Sequence, residues 1–418
     1  MNRNVFSGRR SGTVSIPSSK SMAHRYLIAA ALSEKKCLLR IDGFSEDIEA
    51  TVNCLRSLGS VIQKQKDGLA VTAPAETEVT GTCLLNCNES GSTLRFLIPT
   101  VSALGRTAVF QMSEGLARRP VGELISVLQE HGVKIEKSKN ELRIEGKLSS
   151  GEYTIPGNIS SQYISGLLFA LPLTGGDSIL RITGVTESKD YILMTEKVLG
   201  QSGIVFRKNG STYYIPGNQK YNLPEETEAE PDWSNAAFFL CAGALSEKGV
   251  TVTGLDTEST QGDRAIISIL RSFGADVSVE GKSVTVKRRE LTGQTIDASE
   301  VPDLVPVISV VAANAAGTTR IVNAARLRYK ETDRLRTTYE MLTAVGADIE
   351  ELRDGLVIRG KPVLEGGTVN AANDHRIAMS AAVAASCCGK DITVEDSECV
   401  KKSYPDFWKD FESLEVIK

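Results

Sequence analysis

Cations recur in this 418-residue chain beside Ser, Asp and Gly at positions that read as helix starts. One set opens apolar runs: Lys20-Ser21, Ser90-Gly91, Ser160-Ser161-Gln162, Asp232, Asp303 and Asp374-His375-Arg376. The other opens amphipathic runs: Asp47, Arg118-Arg119-Pro120, Ser188-Lys189-Asp190-Tyr191, Gln261-Gly262-Asp263-Arg264, Lys330 to Arg334, and Lys402-Ser403-Tyr404-Pro405. Capping explains most of the Ser and Asp, and Pro fits a first helical position. Capping does not explain Lys20, Arg119, Arg376 or Lys402. A cation at a helix N-terminus opposes the macrodipole by about 0.3–1 kcal/mol when exposed. A chain that repeats this placement builds a site for strong anions, in which backbone N–H groups and Lys or Arg side chains share one phosphate or carboxylate.

Two carboxylates stand among these cations. Asp303 follows Pro302, and Glu331 lies between Lys330 and Arg334. Neighbouring cations depress a carboxyl pKa and burial raises it, and the sequence alone leaves open which prevails. A solvated salt-bridge or capping role for Glu331 is weighed equally on its own residues; the nearby string Asn373-Asp374-His375-Arg376 favours a functional one. His375 reads as a helix-cap or supporting residue, His24 and His131 as structural or surface residues, and Arg95 as a bridge between loops.

The elements that must carry these residues repeat. A helix ending in Gly, followed by two short alternating strands, closes at Gly59, Gly132, Gly203, Gly274 and Gly346, spaced 73, 71, 71 and 72 residues apart. The apolar helices begin near Lys20, Ser90, Ser160, Asp232, Asp303 and Asp374, spaced 70, 70, 72, 71 and 71. They are apolar nearly all round, which predicts core helices. Six α/β units result, and the last lacks its hairpin, so residues 1–18 are expected to supply its missing strands. The polar, Pro-bearing stretch 218–231 divides units 1–3 (19–228) from units 4–6 (1–18 plus 229–418). Equivalent positions of a repeat share one face, so the helix starts of two such domains are expected to line a cleft for two polyanionic ligands.

Composition narrows the classes. Hydrophobic residues make up 41%, charged ones 24%, and the formal net charge is -4, so neither nucleic acid nor a membrane surface is an expected partner. No apolar run reaches the ~20 residues of a membrane span. The N-terminus lacks a signal-peptide core. Eight Cys, several inside apolar runs, fit a reducing cytoplasm. Cys83 and Cys87 could be half of a metal site, but no second close pair accompanies them.

Ten strings, in order and at the repeat spacing, resemble the 5-enolpyruvylshikimate-3-phosphate (EPSP) synthase family: PSSKSMAHR (17–25), ESGSTLRF (89–96), ARRPVGEL (117–124), SSQYISGLL (160–168), SKDY (188–191), QGDR (261–264), VPDLVP (301–306), KETDRL (330–335), NDHRIAM (373–379) and KKSYPDF (401–407). The resemblance implies an α/β protein of two similar domains, each of three βαβαββ-type units, the inside-out α/β barrel of the enolpyruvyl transferase fold. It implies transfer of enolpyruvate from phosphoenolpyruvate to shikimate 3-phosphate, in the shikimate pathway that glyphosate targets, with no cofactor and no metal, by a cytoplasmic monomer. Lys20, Ser21, Arg25, Ser160, Ser161, Gln162, Ser188, Tyr191, Asp303 and Lys330 would bind shikimate 3-phosphate. Lys20, Gly91, Arg119, Gln162, Arg334, Arg376 and Lys402 would bind phosphoenolpyruvate. Asp303 would take the hydroxyl proton and Glu331 would work at the phosphoenolpyruvate carbons, with Lys20 and His375 assisting.

Two positions depart from the family pattern. Arg326 stands where an Asn commonly precedes the Lys-Glu pair, and Glu89-Ser90-Gly91-Ser92 replaces the usual Asn-Ala-Gly-Thr. The competing readings are a UDP-N-acetylglucosamine enolpyruvyl transferase, which usually has a Cys in the loop that here reads SEGLARRP, and a non-catalytic receptor for an organic phosphate, which leaves the Asp303 and Glu331 pair unexplained.

Overall fold

The six apolar runs fold as buried helices: α1 (Lys20–Leu32), α2 (Gly91–Ala103), α3 (Ser161–Ala170), α4 (Trp233–Ala244), α5 (Val305–Ala312) and α6 (His375–Ala384). The computed structural model describes residues 1–74 and 81–417. They form two compact units, Ser18–Ala229, and Met1–Pro17 with Glu230–Lys418, each with its own apolar core. The helices are enclosed on every side because they carry no polar face to expose. None among the described residues is long and apolar enough to cross a membrane.

One sheet pattern recurs. Around α2, the strand Cys83–Asn86 runs parallel to Ala108–Gln111, and the hairpin Lys134–Lys137 and Glu141–Glu145 folds back antiparallel on the latter. Around α3, Glu152–Pro156 pairs parallel with Ser178–Thr183, and the hairpin Arg207–Asn209 and Thr212–Ile215 follows. Around α5, Thr295–Asp297 pairs parallel with Thr318–Val322, and the hairpin Asp348–Leu352 and Gly355–Arg359 completes the sheet. The first repeat of each unit has no leading strand of its own. Glu226–Glu228 fills that place beside Cys37–Arg40, and Arg9–Ser15 fills it beside Val250–Thr253. An unpaired strand edge leaves backbone donors and acceptors without partners, so the chain returns to cover it.

Residues 1–18 therefore divide their service. Only Arg3–Val5 completes the sixth repeat, pairing antiparallel with Ile392–Glu395, while Arg9–Ser15 serves the fourth and carries Glu415–Ile417 on its outer edge. Among the described residues the six sheets have three to five strands and are all open. The expected barrel is thus not a closed ring of hydrogen-bonded strands.

Tight packing of α2 on α3 depends on two residues. Pro99 lies inside α2 and, having no N–H, leaves the carbonyl of Arg95 without its helical donor. Gly166 of α3 sits on that carbonyl, where an added Cβ would come within 2.3 Å of the oxygen. This approach brings Arg95 and Gln162 into contact at the helix starts, where Arg95 Nη1 donates to Gln162 Oε1 at 2.8 Å.

Candidate active site

Five of the six buried helices begin with a side-chain cap. Ser19, Ser90, Ser160, Asp232 and Asp374 each accept a backbone N–H of the first turn, from Met22, Thr93, Gln162, Asn235 and Arg376 respectively. The fifth helix is the exception. A 3₁₀ turn, Pro302–Leu304, leads into α5, Leu304 stands at its N-cap, and no side chain caps it. Asp303 occupies the repeat position of a cap but is not used as one, and its carboxylate faces cations instead.

In the unit Ser18–Ala229 the cations rest chiefly on neutral acceptors. Arg25, buried in α1, donates from Nε to Thr195 Oγ1 (2.8 Å), from Nη1 to Ser21 O (2.7 Å) and from Nη2 to Tyr191 O (2.7 Å). Burial lowers its guanidinium pKa to about 10, still protonated at neutral pH. These bonds join α1 to the start of the helix Lys189–Gln201, where Ser188 is buried with a left-handed backbone (φ 51°) that a Ser seldom adopts. Lys20 Nζ lies 2.7 Å from Asp47. Arg119 follows the short helix Glu114–Arg118, and its Nη1 lies 3.0 Å from where a Cβ on Gly91 would be. Only Gly at this helix start lets the guanidinium approach so closely. Arg95 Nη2 holds Pro120 O at 2.9 Å, and Gln162 Nε2 donates to Ser92 Oγ at 3.0 Å, so Arg119, Gly91, Gln162 and Ser161 share one neighbourhood. Glu89 accepts from Ser113 Oγ, the cap of Glu114–Arg118. His24 is buried on Thr51 Oγ1 (2.7 Å); burial, then Lys20 and Arg25, hold its pKa well below the usual value, which keeps it neutral.

In the other unit Arg334, Arg376 and Lys330 rest on carboxylates. Arg334 is 1% exposed and spends every nitrogen on them. Nε and Nη2 grip Asp374 (2.8 and 3.2 Å), Nη1 meets Asp303 Oδ1 (2.8 Å), and Nη2 also meets Glu331 Oε2 (2.6 Å). Arg376 Nη2 reaches Asp303 Oδ2 at 3.0 Å, and Lys330 Nζ lies 3.3 Å from Asp303 Oδ1. Burial would raise the Asp303 pKa, but Arg376, Lys330 and Arg334 together outweigh it and hold the carboxyl well below its usual range. For Asp303, the question left open by the sequence is thereby answered in favour of the cations. Lys330 is lowered, mainly by burial. Lys402 Nζ donates to Asn373 O at 2.7 Å, in a turn where Ala372 and Asn373 both have positive φ (51° and 58°). His375 is buried at the start of α6, with Nδ1 3.9 Å from Asp374 Oδ1, too long for a hydrogen bond.

Asp303, Lys330, Glu331, Arg334, Arg376 and Lys402 thus belong to one unit, and Lys20, Ser21, Arg25, Gly91, Arg119, Ser160, Ser161, Gln162, Ser188 and Tyr191 to the other. Sequence reasoning missed the parts of Asp374 and Asp47. Both were visible as acids at helix starts, but their partners, Arg334 and Lys20, lie 40 and 27 residues away. Arg326 lies beside the site, with Nη2 3.5 Å from Ser299 O and its charge felt by Lys330. Among the described residues no group of His, Cys, Asp or Glu is arranged to hold a metal ion. Cys83 and Cys87 are buried free thiols.

The arrangement offers preset cations for anions in one unit. In the other it offers a carboxylate pair whose proton affinity depends on whether its cations are engaged elsewhere. Residues 6–411 match the family model of EPSP synthase (3-phosphoshikimate 1-carboxyvinyltransferase). A 3-phosphoshikimate 1-carboxyvinyltransferase of Clostridium kluyveri is 44% identical over 408 residues, covering 96% of this chain and 95% of its own. One from Clostridium novyi is 41% identical, covering 99% and 97%. Among solved structures, an EPSP synthase from Acinetobacter baumannii covers 100% of both chains at a TM-score of 0.80 and 25% identity. An enolpyruvyl transferase from Streptomyces tendae, 18% identical, shares the fold at a TM-score of 0.80 over 100% of this chain and 97% of its own.

Proposed function

The chain belongs to the EPSP synthase family, and on that premise we propose that it transfers the enolpyruvyl group of phosphoenolpyruvate to the 5-hydroxyl of shikimate 3-phosphate through the residues described above. The reaction is an addition followed by an elimination, a step toward chorismate in aromatic amino acid biosynthesis. The observation that carries the residue assignment is Arg334, which touches both Asp303 and Glu331.

Shikimate 3-phosphate is held by Lys20, Ser21, Arg25, Ser160, Ser161, Gln162, Ser188, Tyr191 and Lys330. Phosphoenolpyruvate is held by Lys20, Gly91, Arg119, Gln162, Arg334, Arg376 and Lys402. Anions compete with Asp303 for Arg334, Arg376 and Lys330, so arrival of phosphoenolpyruvate draws cations off Asp303 and raises its basicity. Asp303 then takes the proton of the 5-hydroxyl as its oxygen bonds to C2 of phosphoenolpyruvate. The methylene carbon gains a proton in the addition and loses one as the C2–O bond to phosphate breaks, and Glu331 gives and takes that proton. Cations stabilise the tetrahedral ketal between the two steps. His375, buried beside Asp374, supports the helix start that carries Arg376.

Every residue named comes from one chain, so a monomer carries the full set. The eight buried, free cysteines suit a reducing compartment, and we place the protein in the cytoplasm. The test is phosphate release. Inorganic phosphate should appear only when both substrates are present, and should persist in excess chelator. Turnover with UDP-N-acetylglucosamine in place of shikimate 3-phosphate would overturn the reading.

A further inference from the structure

The string Gln261-Gly262-Asp263 has no part in the chemistry above, yet it is built into the unit that carries Asp303. Gln261 Oε1 accepts the N–H of Trp233 at 3.1 Å, and its Nε2 donates to Pro231 O at 2.8 Å and Glu230 Oε1 at 3.1 Å. These bonds pin the 3₁₀ turn Gly262–Ala265 against the start of α4. Asp263, on that turn, is 3% exposed. Its Oδ2 accepts from Ser234 Oγ, and its Oδ1 is enclosed without a hydrogen-bond partner among the described residues. The charged groups that face it are Asp303 before α5, Arg376 in the first turn of α6, and Asp232 at the cap of α4.

A buried carboxylate with one oxygen bonded to a single hydroxyl and the other to nothing is poorly stabilised as an anion. Burial, followed by the charge of Asp303, pushes the Asp263 carboxyl up to about 7, while Arg376 and Ser234 pull it down. Arg376 is therefore within the field of two carboxyls, and its Nη2 is hydrogen-bonded to Asp303.

We propose that Asp263 is a positioning residue for Arg376: in its neutral form it leaves the guanidinium to Asp303 and to the incoming phosphoenolpyruvate, and in its ionised form it competes for that guanidinium and weakens phosphoenolpyruvate binding. The inference rests on the proposed reaction and on the place of Arg376 in it.

The test is the pH profile of KM for phosphoenolpyruvate in the intact enzyme, with kcat followed separately. In the parent protein KM should rise about tenfold between pH 6 and pH 9, the worth of one hydrogen bond to a charged group, with little change in kcat. Asp263→Asn, which cannot ionise, should flatten that rise. Ser234→Ala removes a donor that favours the anion and should move the rise to higher pH. Infrared difference spectra give a readout that needs no turnover: the C=O stretch of a buried protonated carboxyl should fade as pH climbs through neutrality, and be missing in Asp263→Asn. Parallel KM profiles in parent and Asp263→Asn would overturn the proposal, as would loss of turnover at every pH in an Asp263→Asn protein that melts normally. If Asp303→Asn turns over like the parent, the reaction assignment fails first, and the infrared titration still judges Asp263.

Discussion

The two units treat the buried arginines at their helix starts differently, although Lys20 meets Asp47 in one and Lys402 meets a carbonyl in the other. In Ser18–Ala229, Arg25 and Arg95 donate to backbone carbonyls, a hydroxyl and an amide, which are neutral. In the other unit, Arg334 and Arg376 donate to the carboxylates of Asp303, Glu331 and Asp374. A neutral acceptor orients a guanidinium and leaves its full charge to attract an anion. A carboxylate partner cancels that charge and must be displaced before an anion can use it. The first arrangement suits holding a ligand. Under the proposed reaction, the second would couple anion binding to the release of a base, because each cation drawn to substrate is one fewer suppressing Asp303.

That contrast can be broken by substitution. The largest effect is expected at Asp303. Asp303→Asn keeps the shape but cannot take a proton, and turnover should fall by roughly 10²–10⁴ with substrate binding not weakened. Stopped-flow or equilibrium binding beside steady-state kinetics separates the two; normal turnover would place the base elsewhere.

Next is Arg334. Arg334→Met leaves Asp374, which is fully buried, without its principal cation. Breaking a buried pair on one side costs about 3–5 kcal/mol, so the denaturation midpoint should drop markedly along with activity. A variant as stable as the parent would show that the carboxylate network does not depend on Arg334.

Arg25→Lys should be milder and of a different kind. A lysine cannot make three divergent bonds to Thr195, Ser21 and Tyr191. The KM for shikimate 3-phosphate should rise about tenfold while kcat stays within a factor of a few. A fall in kcat instead would erase the distinction between a holding half and a reacting half.

The smallest effect concerns stability against pH. The folded chain keeps a proton on Asp263 up to about 7, whereas an unfolded aspartate loses it near pH 4. The folded state therefore binds more protons in that window, and this contribution to stability falls as pH rises through it. Asp263→Asn removes the loss. Its melting temperature should exceed that of the parent at pH 8 by a few degrees, and the two should coincide near pH 4. A lower melting temperature for the variant at pH 8 would mean that Asp263 is stabilised as an anion.

The repeat made much of the fold legible, because helix and hairpin periods are local. α1, α2, α3, α4 and α6 start where the polar residues announced them, and glycines such as Gly59, Gly132 and Gly346 turn into hairpins with positive φ. Strand borrowing was less legible. Residues 1–18 contain two strands, and nothing local says that Arg3–Val5 joins one sheet while Arg9–Ser15 joins another. Nor does Glu226–Glu228, a short acidic stretch, announce itself as the parallel partner of Cys37–Arg40. Those pairings follow from which sheet edges remain open after the rest has folded.

The sequence by itself determined the units, the apolar helices, the caps at Ser90, Ser160, Asp232 and Asp374, and the set of cations and carboxylates available for chemistry. Tertiary structure decided how that set is used. Asp303 has the repeat position of a cap, but the 3₁₀ turn Pro302–Leu304 turns it to Arg334 and Arg376, which lie 31 and 73 residues away. Whether burial or cations govern its proton was undetermined in the string of residues, because both effects act strongly at hydrogen-bonding distance and those distances are set by packing. Asp263 and Asp303 are the same residue type in the same unit, each at a helix start. One is driven up and the other down because Arg334, Arg376 and Lys330 converge on Asp303, whereas Asp263 is left with a single hydroxyl.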